Sequence, residues 1–164
     1  VIHGDHGIAG NWASGAQPGD LIGLLGPGGT GLDPARWYLF AGDETAIPAI
    51  ARHLESLPAD AEGIALIEVA DAAEEQPLAA PPGVELRWLH RNGLEPGRNT
   101  LLVDAVRAVA MPHDVEGCFA WLGAEAATAR TIRKYWREEC GFDRDRTLAV
   151  AYWRHELTAE EGQD

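Results

Sequence analysis

The segment Ala41–Ile50 carries the residues best suited to binding a ligand. Gly42 permits a tight bend, Thr45 offers a hydroxyl that could cap a helix or donate to a phosphate, and Pro48 suits a first helical turn. Amides at such a helix start are unpaired and attract diphosphates. Asp43 and Glu44 oppose this interpretation and fit a plain turn with acidic capping. The residues alone favour the two readings equally, and the common G-x-G-x-x-G dinucleotide fingerprint is absent.

Two further candidate sites follow predicted strands. A glycine at position 123 would let a planar ring approach the backbone, although a turn glycine followed by a capping Glu125 explains the pair equally well. At the end of the last strand, Tyr152 and Trp153 could stack on a planar cofactor while Arg154 holds an anion. Core packing is the commoner role of aromatic residues at strand ends.

The glycine-rich segment His3–Trp12 contains two histidines and an aspartate. Their spacing matches no metal-ligand pattern, so no metal site is predicted, and a phosphate-binding turn that enters a helix is favoured.

Apolar runs alternate with helical patterns from Trp37 onwards, which predicts a doubly wound α/β domain with a parallel five-stranded sheet. The predicted strands are 37–41, 64–69, 84–89, 118–122 and 147–153, and the predicted helices are 46–56, a stretch spanning Leu102, Val106 and Val109, and 126–140 with Gly141 as its stop. Residues 71–83 are expected to be largely loop.

The N-terminal part has a different pattern, with turns, a brief helix at about 10–15 and a short strand at 21–25. It resembles the end of a β-rich unit. We therefore divide the chain into an incomplete barrel (1–34), the α/β domain (35–155) and a frayed acidic tail (156–164). Because the chain opens on Val1, within a strand-like segment, we expect further sequence upstream.

Composition narrows the function classes. A net charge of −13 over 164 residues disfavours nucleic acid and anionic membranes. No apolar run approaches the ~20 residues of a membrane span, and we expect a cytoplasmic monomer. Cys118 and Cys140 lack metal or redox spacing and are expected to be reduced core thiols. Core or interface positions are predicted for Trp12, Trp37, Trp88, Trp121 and Trp136.

Four of these segments together resemble one family, the siderophore-interacting proteins, which are bacterial flavoproteins related to ferredoxin–NADP reductases. Ala41–Ile50 matches the family's A-G-D-E-T-A-x-P-A-I without a mismatch. Three further segments are similar to H-G-x-x-G-P-A-S-x-W, W-x-A-G-E-A and G-Y-W-R, namely His3–Trp12, Trp121–Ala126 and Ala151–Arg154. Departures occur at Ile8, Gly10 and Ala151, and the family's R-x-Y-[ST] flavin motif is absent.

The resemblance implies an FAD-dependent NAD(P)H:ferric-siderophore oxidoreductase that releases iron by reducing Fe(III) to Fe(II). No acid or base would act; Tyr152 or Trp153 would lie near the flavin, and Arg154 would attract the anionic ferric siderophore. The implied FAD contacts are His3, Gly4, Gly7, Ala9 and Gly10. The implied NAD(P)H contacts are Gly42, Asp43, Glu44, Thr45, Pro48, Gly123 and Glu125.

Alternatives stay open at this point. The chain could be a non-catalytic nucleotide-binding module on the same scaffold, or a general flavin reductase with other acceptors. Glu68 or Asp71 would favour NADH, whereas Arg87 or Arg91 could pair with the 2′-phosphate of NADPH. A ferredoxin that feeds the flavin is a further open partner. With an incomplete flavin barrel, the chain on its own is expected to bind FAD weakly and to be inactive.

Overall fold

The computed structural model describes residues 8–23 and 32–155. The chain divides into two compact units, Val1–Gly31 and Leu32–Asp164. The first unit contains helix α1 (Ile8–Gly15), which begins two residues before the predicted helix. Of the predicted strand at 21–25, residues 21–23 form no strand and the other two lie outside the described residues. Leu21 is 96% exposed, and a strand without a partner or a buried face gains no stability.

The second unit is a five-stranded parallel sheet in the order β3-β2-β1-β4-β5, which confirms the predicted fold class. Its strands are β1 (Trp37–Asp43), β2 (Glu62–Val69), β3 (Gly83–His90), β4 (Cys118–Glu125) and β5 (Thr147–Trp153). Its helices are α2 (Ile47–Ser56), α3 (Leu101–Arg107) and α4 (Ala126–Glu138), and three-residue 3₁₀ turns lie at Glu44–Ala46, Ala72–Glu74 and Arg144–Arg146. No helix among residues 8–23 and 32–155 is long and apolar enough to cross a membrane.

Both faces of the sheet are covered, which explains the nearly continuous apolar runs of the central strands. Ile50 and Leu54 of α2 pack on one face, and Leu102 of α3 together with Ile132 and Trp136 of α4 pack on the other. Helix α4 ends two residues earlier than predicted. Its stop is a left-handed Gly141 (φ +80°), after which the Phe142 amide donates to the Trp136 carbonyl (3.0 Å).

Two central strands extend further than predicted, and the difference lies at the candidate site. The predicted ends at 41 and 122 move to Asp43 and Glu125. Both side chains are buried, because protein donors satisfy their carboxylates in place of water. Residues that the sequence placed in turns are therefore parts of the sheet.

Candidate functional site

The carboxyl ends of β1 and β4 lie side by side, where the strand order reverses. In doubly wound sheets this is the position at which ligands bind. The 3₁₀ turn after β1 and helix α4 after β4 start at this edge. Most of the predicted site residues after position 40 therefore come together here.

The Asp43 carboxylate accepts hydrogen bonds from the 3₁₀ turn that follows it and from two neighbouring strands. Its Oδ1 accepts from the Thr45 amide (3.0 Å) and the Thr45 hydroxyl, and its Oδ2 accepts from the Glu125 amide (3.2 Å) and the Trp153 indole (2.8 Å). The residue is only 5% exposed. Asp43 thus ties β1 to β4 and β5.

The Glu125 carboxylate caps α4. Its Oε2 accepts from the amides of Ala127 and Thr128, and its Oε1 accepts from the His155 amide (3.4 Å). The capping alternative for this residue is therefore seen in the structure, and those amides at the helix start are engaged within the protein.

A buried guanidinium neutralises Glu44. Both Arg91 nitrogens lie 2.7 Å from the Glu44 carboxylate, and Nη1 also lies 3.3 Å from Glu68. Asn99 donates to Glu68 as well (3.2 Å), so the loop after β3 is joined to β2. The Glu44 hydrogen bond, opposed by burial, raises the pKa of Arg91. Glu68 and Arg91, two of the proposed nucleotide selectors, thus pair with each other.

The other two proposed selectors lie apart. Arg87 lies within β3, opposite Leu66 of β2, where it pairs with Glu85 (2.7 Å) and lines a separate cavity with Gly63. Asp71 follows β2 and caps the 3₁₀ turn through the Ala73 amide (2.8 Å), while its residue remains exposed.

Packing accounts for Gly42 and Gly123. A Cβ at Gly42 would lie 2.5 Å from the Ala46 Cβ and 2.8 Å from the Gly123 carbonyl oxygen. A Cβ at Gly123 would lie 2.8 Å from Trp121 and 3.1 Å from the Tyr152 ring. Packing within the protein is therefore enough to require a glycine at both positions.

Two amides of the turn at 42–48 are paired within the protein, which favours the acidic-capping alternative at these positions, while nucleotide binding at this turn stays a prediction. The Thr45 amide donates to Asp43, and the Ile47 amide donates to the Glu44 carbonyl. Thr45 does not cap α2, whose cap position is Ala46 without a side-chain bond; Pro48 does lie in the first turn, as predicted. The cause is the Asp43 side chain, which folds the turn onto itself as an internal cap.

The two aromatic residues at the end of β5 have different surroundings. Tyr152 is 42% exposed and lies against Gly123 and edge-on to Trp121, with ring centroids 6.1 Å apart. Trp153 is half-buried and bonded to Asp43. Tyr152 therefore presents an aromatic surface at this edge, whereas Trp153 is held inside it.

A cavity of about 450 Å³ opens at the start of α4. Three arginines line it, together with Glu125 and His155: Arg98, Arg130 and Arg154. All three are exposed, and Arg98 lies 3.7 Å from Glu95. In a chain of net charge −13, this concentration of guanidinium groups favours an anionic ligand. Sequence reasoning found Arg154 and missed Arg98 and Arg130, whose positions 56 and 24 residues before it give no local signal.

The remaining predicted sites lie elsewhere. His3, Gly4 and Gly7 are outside the described residues, while Ala9 and Gly10 lie in the first turn of α1. Within residues 8–23 and 32–155, no group of three or more His, Cys, Asp or Glu could hold a metal ion. Cys118 is buried and Cys140 half-buried, both are unpaired, and burial raises the pKa of each thiol. Trp121 and Trp136 are core residues, Trp37 and Trp88 pack against the core, and Trp12 is 42% exposed.

Residues 35–156 match the family of siderophore-interacting proteins, and residues 1–31 match the siderophore-interacting FAD-binding domain. The chain is 34% identical to the ferric vibriobactin reductase of Vibrio cholerae over 94% of this chain and 57% of that protein. It is 32% identical to the NADPH-dependent ferric-chelate reductase of Escherichia coli over 93% of this chain and 58% of that protein.

The crystal structure of a siderophore utilization protein from T. fusca superposes with a TM-score of 0.82 at 45% identity, covering 96% of this chain and 60% of that one. This chain belongs to the siderophore-interacting protein family. It spans less than two thirds of the length of these relatives.

Proposed function

We propose that this chain is the nicotinamide-nucleotide-binding part of an FAD-dependent ferric-siderophore reductase. The observation that carries the proposal is the arginine-lined cavity at the end of β4 and the start of α4, in a member of this family. When bound, the nicotinamide coenzyme would supply a hydride, whose two electrons would reduce two Fe(III) ions to Fe(II) by way of FAD. In this proposal the protein orients these partners; no side chain acts as acid or base.

The cavity would hold the anionic ferric chelate through Arg98, Arg130 and Arg154. Guanidinium groups match carboxylate and catecholate oxygens through charge-assisted hydrogen bonds. A diphosphate shares this chemistry, and Glu125, predicted for the nucleotide, lines the same cavity as Arg154. Measuring KM for the ferric siderophore and KM for the coenzyme in arginine variants distinguishes the chelate from the diphosphate as the ligand of this cavity.

The decisive experiment measures Fe(II) release, trapped by a colorimetric chelator, with the chain joined to the family's complete flavin domain. R130Q and R154Q are expected to raise KM for an anionic ferric siderophore about tenfold, equivalent to ~1.4 kcal/mol each, with KM for the coenzyme unchanged. R133Q, an exposed α4 arginine outside the cavity lining, is the matched control.

A raised coenzyme KM instead would assign the cavity to the diphosphate. Reduction of free flavin but of no ferric chelate would favour a general flavin reductase, and absence of any turnover would favour the non-catalytic module.

We further propose a preference for NADH. Carboxylates follow β2 at Asp71, Glu74 and Glu75, all exposed, while Arg91 is paired internally. A 2′-phosphate would meet negative charge there. The E. coli relative is named as NADPH-dependent, so the ratio of kcat/KM for the two coenzymes must be measured directly. D71N is expected to lower the ratio of kcat/KM for NADH to kcat/KM for NADPH. A wild-type preference for NADPH would contradict the proposal.

The location, oligomeric state and flavin content of the chain are also proposals. Two unpaired cysteines suit the reducing cytoplasm, and we expect a monomer by sedimentation. Because the family's R-x-Y-[ST] motif is absent, the 164-residue chain by itself is expected to retain little FAD. A stoichiometric flavin spectrum from the purified chain would contradict this, as would iron reduction without added flavin domain. Donation from a ferredoxin is tested by replacing the coenzyme with reduced ferredoxin.

A further inference from the structure

The ladder between β4 and β5 is irregular at Tyr152. Ala124 pairs with Ala151, whereas the next residue of β4, Glu125, pairs with Trp153. Tyr152 is therefore the extra residue of a β-bulge. A bulged residue has no partner across the ladder, so its direction depends on how its neighbours are held.

Trp153 holds the carboxyl side of the bulge. Its indole donates to Asp43 Oδ2 (2.8 Å), across 110 residues of sequence. The loop before α3 closes over the same ring: a Cβ at Gly97 would lie 2.8 Å from Trp153 Cη2, and Gly97 has a φ of +69°. A larger residue at position 97 would be strained and would collide with the indole. The indole is thus fixed by a buried carboxylate and by a closely packed loop.

The bulge sets the position of an exposed aromatic ring. Tyr152 lies against Gly123, where its Cζ would be 3.1 Å from a Cβ, and it contacts Trp121 edge-on. Its hydroxyl has no hydrogen-bond partner among residues 8–23 and 32–155. Its placement therefore follows from the bulge and from these packing contacts.

We propose that Asp43 is a positioning residue, which fixes the bulge through Trp153 and thereby places the Tyr152 ring over Gly123. The proposal gives a structural role to Asp43, whose negative charge opposes the diphosphate that the sequence predicted at this turn. Asp43 touches no ligand in this account. The position of the Tyr152 ring does not depend on the proposed function. Only its use as an aromatic wall of the coenzyme site rests on that function.

The test uses the 164-residue chain labelled with 3-fluorotyrosine. The chain has three tyrosines, so Tyr38, Tyr135 and Tyr152 give three fluorine resonances, and Y152F identifies the third. W153F removes the indole donor and keeps an aromatic ring. We expect the Tyr152 resonance to move by more than its linewidth or to broaden, with the other two unchanged. W88F, a half-buried tryptophan on β3, is the control and should leave Tyr152 in place.

D43N tests the other partner of the bond. Asparagine offers one acceptor oxygen and a donor group, so it cannot accept from Trp153, Glu125 and Thr45 together. If Asp43 acts through Trp153, the D43N/W153F double variant shifts Tyr152 no further than D43N alone. A wild-type Tyr152 signal in folded W153F, or additive shifts in the double variant, would overturn the proposal. W153F decides alone if D43N does not fold.

The spectra require no cofactor. A shifted Tyr152 signal in a protein that reduces no ferric siderophore would therefore refute the proposed function and leave this inference standing. The reverse result, an active enzyme whose Tyr152 ignores W153F, would refute the inference alone.

Discussion

The two edges of the sheet handle charge in opposite ways. At the amino edge, Arg36 pairs with Asp114 while their side chains are 76% and 59% exposed. At the carboxyl edge, the side chains of Arg91 and Glu68 pair at 4% and 6% exposure, and Asp43 and Glu125 are buried as well. Burying charge costs free energy that exposed pairs avoid.

This difference indicates that the carboxyl edge of the sheet has the more fixed geometry. A buried ion pair adds little net stability over apolar packing, but it demands a particular arrangement of partners. At the carboxyl edge the buried groups connect β1, β2, β4, β5 and the loop before α3. They are concentrated where the arginine cavity and Tyr152 are found.

The largest effect is expected from R91M. Removing the guanidinium leaves Glu68 buried without its counter-charge, so the free energy of unfolding should fall by about 3–5 kcal/mol. R36M at the amino edge breaks an exposed pair and should cost less than about 1 kcal/mol. Urea unfolding of both variants gives the comparison.

The double variant R91M/E68M sharpens this prediction. Because it removes both buried charges, it should recover much of the loss, and Glu44 can turn to water since its side chain is 29% exposed. Equal losses in R91M and R36M would remove the distinction between the edges.

The sequence predicts the sheet well and its carboxyl edge poorly, for a physical reason. Runs such as Ile64–Val69 are buried on both faces, so local composition already indicates a strand. The edge depends on contacts between distant positions: Asp43 with Glu125 across 82 residues and Arg91 with Glu44 across 47. No local pattern encodes those pairs.

The same limit affected the individual site residues. Gly42 was recognised as a bend, but one of the two neighbours that require a glycine there, the Gly123 carbonyl, lies on another strand. Acidic capping was one of the two alternatives for this turn, and Asp43 accepts from the Thr45 amide, but Asp43 was assigned to the turn rather than to the strand end. Arg98 and Arg130 join Arg154 only once α4 and the loop before α3 are in place.

An intermediate effect is expected when two closely packed glycines are enlarged. A Cβ at Gly42 meets the Ala46 Cβ at 2.5 Å and the Gly123 carbonyl oxygen at 2.8 Å, and neither can move independently of the backbone. G42A should therefore destabilise the protein by about 1–3 kcal/mol.

The matched variant is G117A at the amino edge. The three atoms nearest to a Cβ there all belong to the Arg36 guanidinium, the first also at 2.5 Å, and this side chain is exposed and flexible. Its cost should stay within about 0.5 kcal/mol. Thermal melts of the two variants compare a rigid neighbour with a movable one at the same distance, and similar losses would contradict the argument.

The smallest effect concerns the titration of Tyr152. Burial, and then the negative charge of Asp43, raises the pKa of its phenol above the ordinary value of 10.0. D43N removes the second cause, so the phenol should ionise at lower pH than in the wild type while burial still holds its pKa above that of a free tyrosine. Because the pKa of Tyr152 is higher in the folded than in the unfolded protein, this residue lowers the free energy of unfolding only as the pH rises past the unfolded pKa. It does not affect stability at neutral pH.

D114N at the amino edge is the control. The Asp114 carboxylate contributes, after burial, to the raised pKa of Cys118 and not to that of Tyr152. Fluorine shifts of labelled Tyr152 followed through alkaline pH measure both variants, and an unchanged titration midpoint in D43N would show that the buried carboxylate does not act electrostatically on the ring it positions.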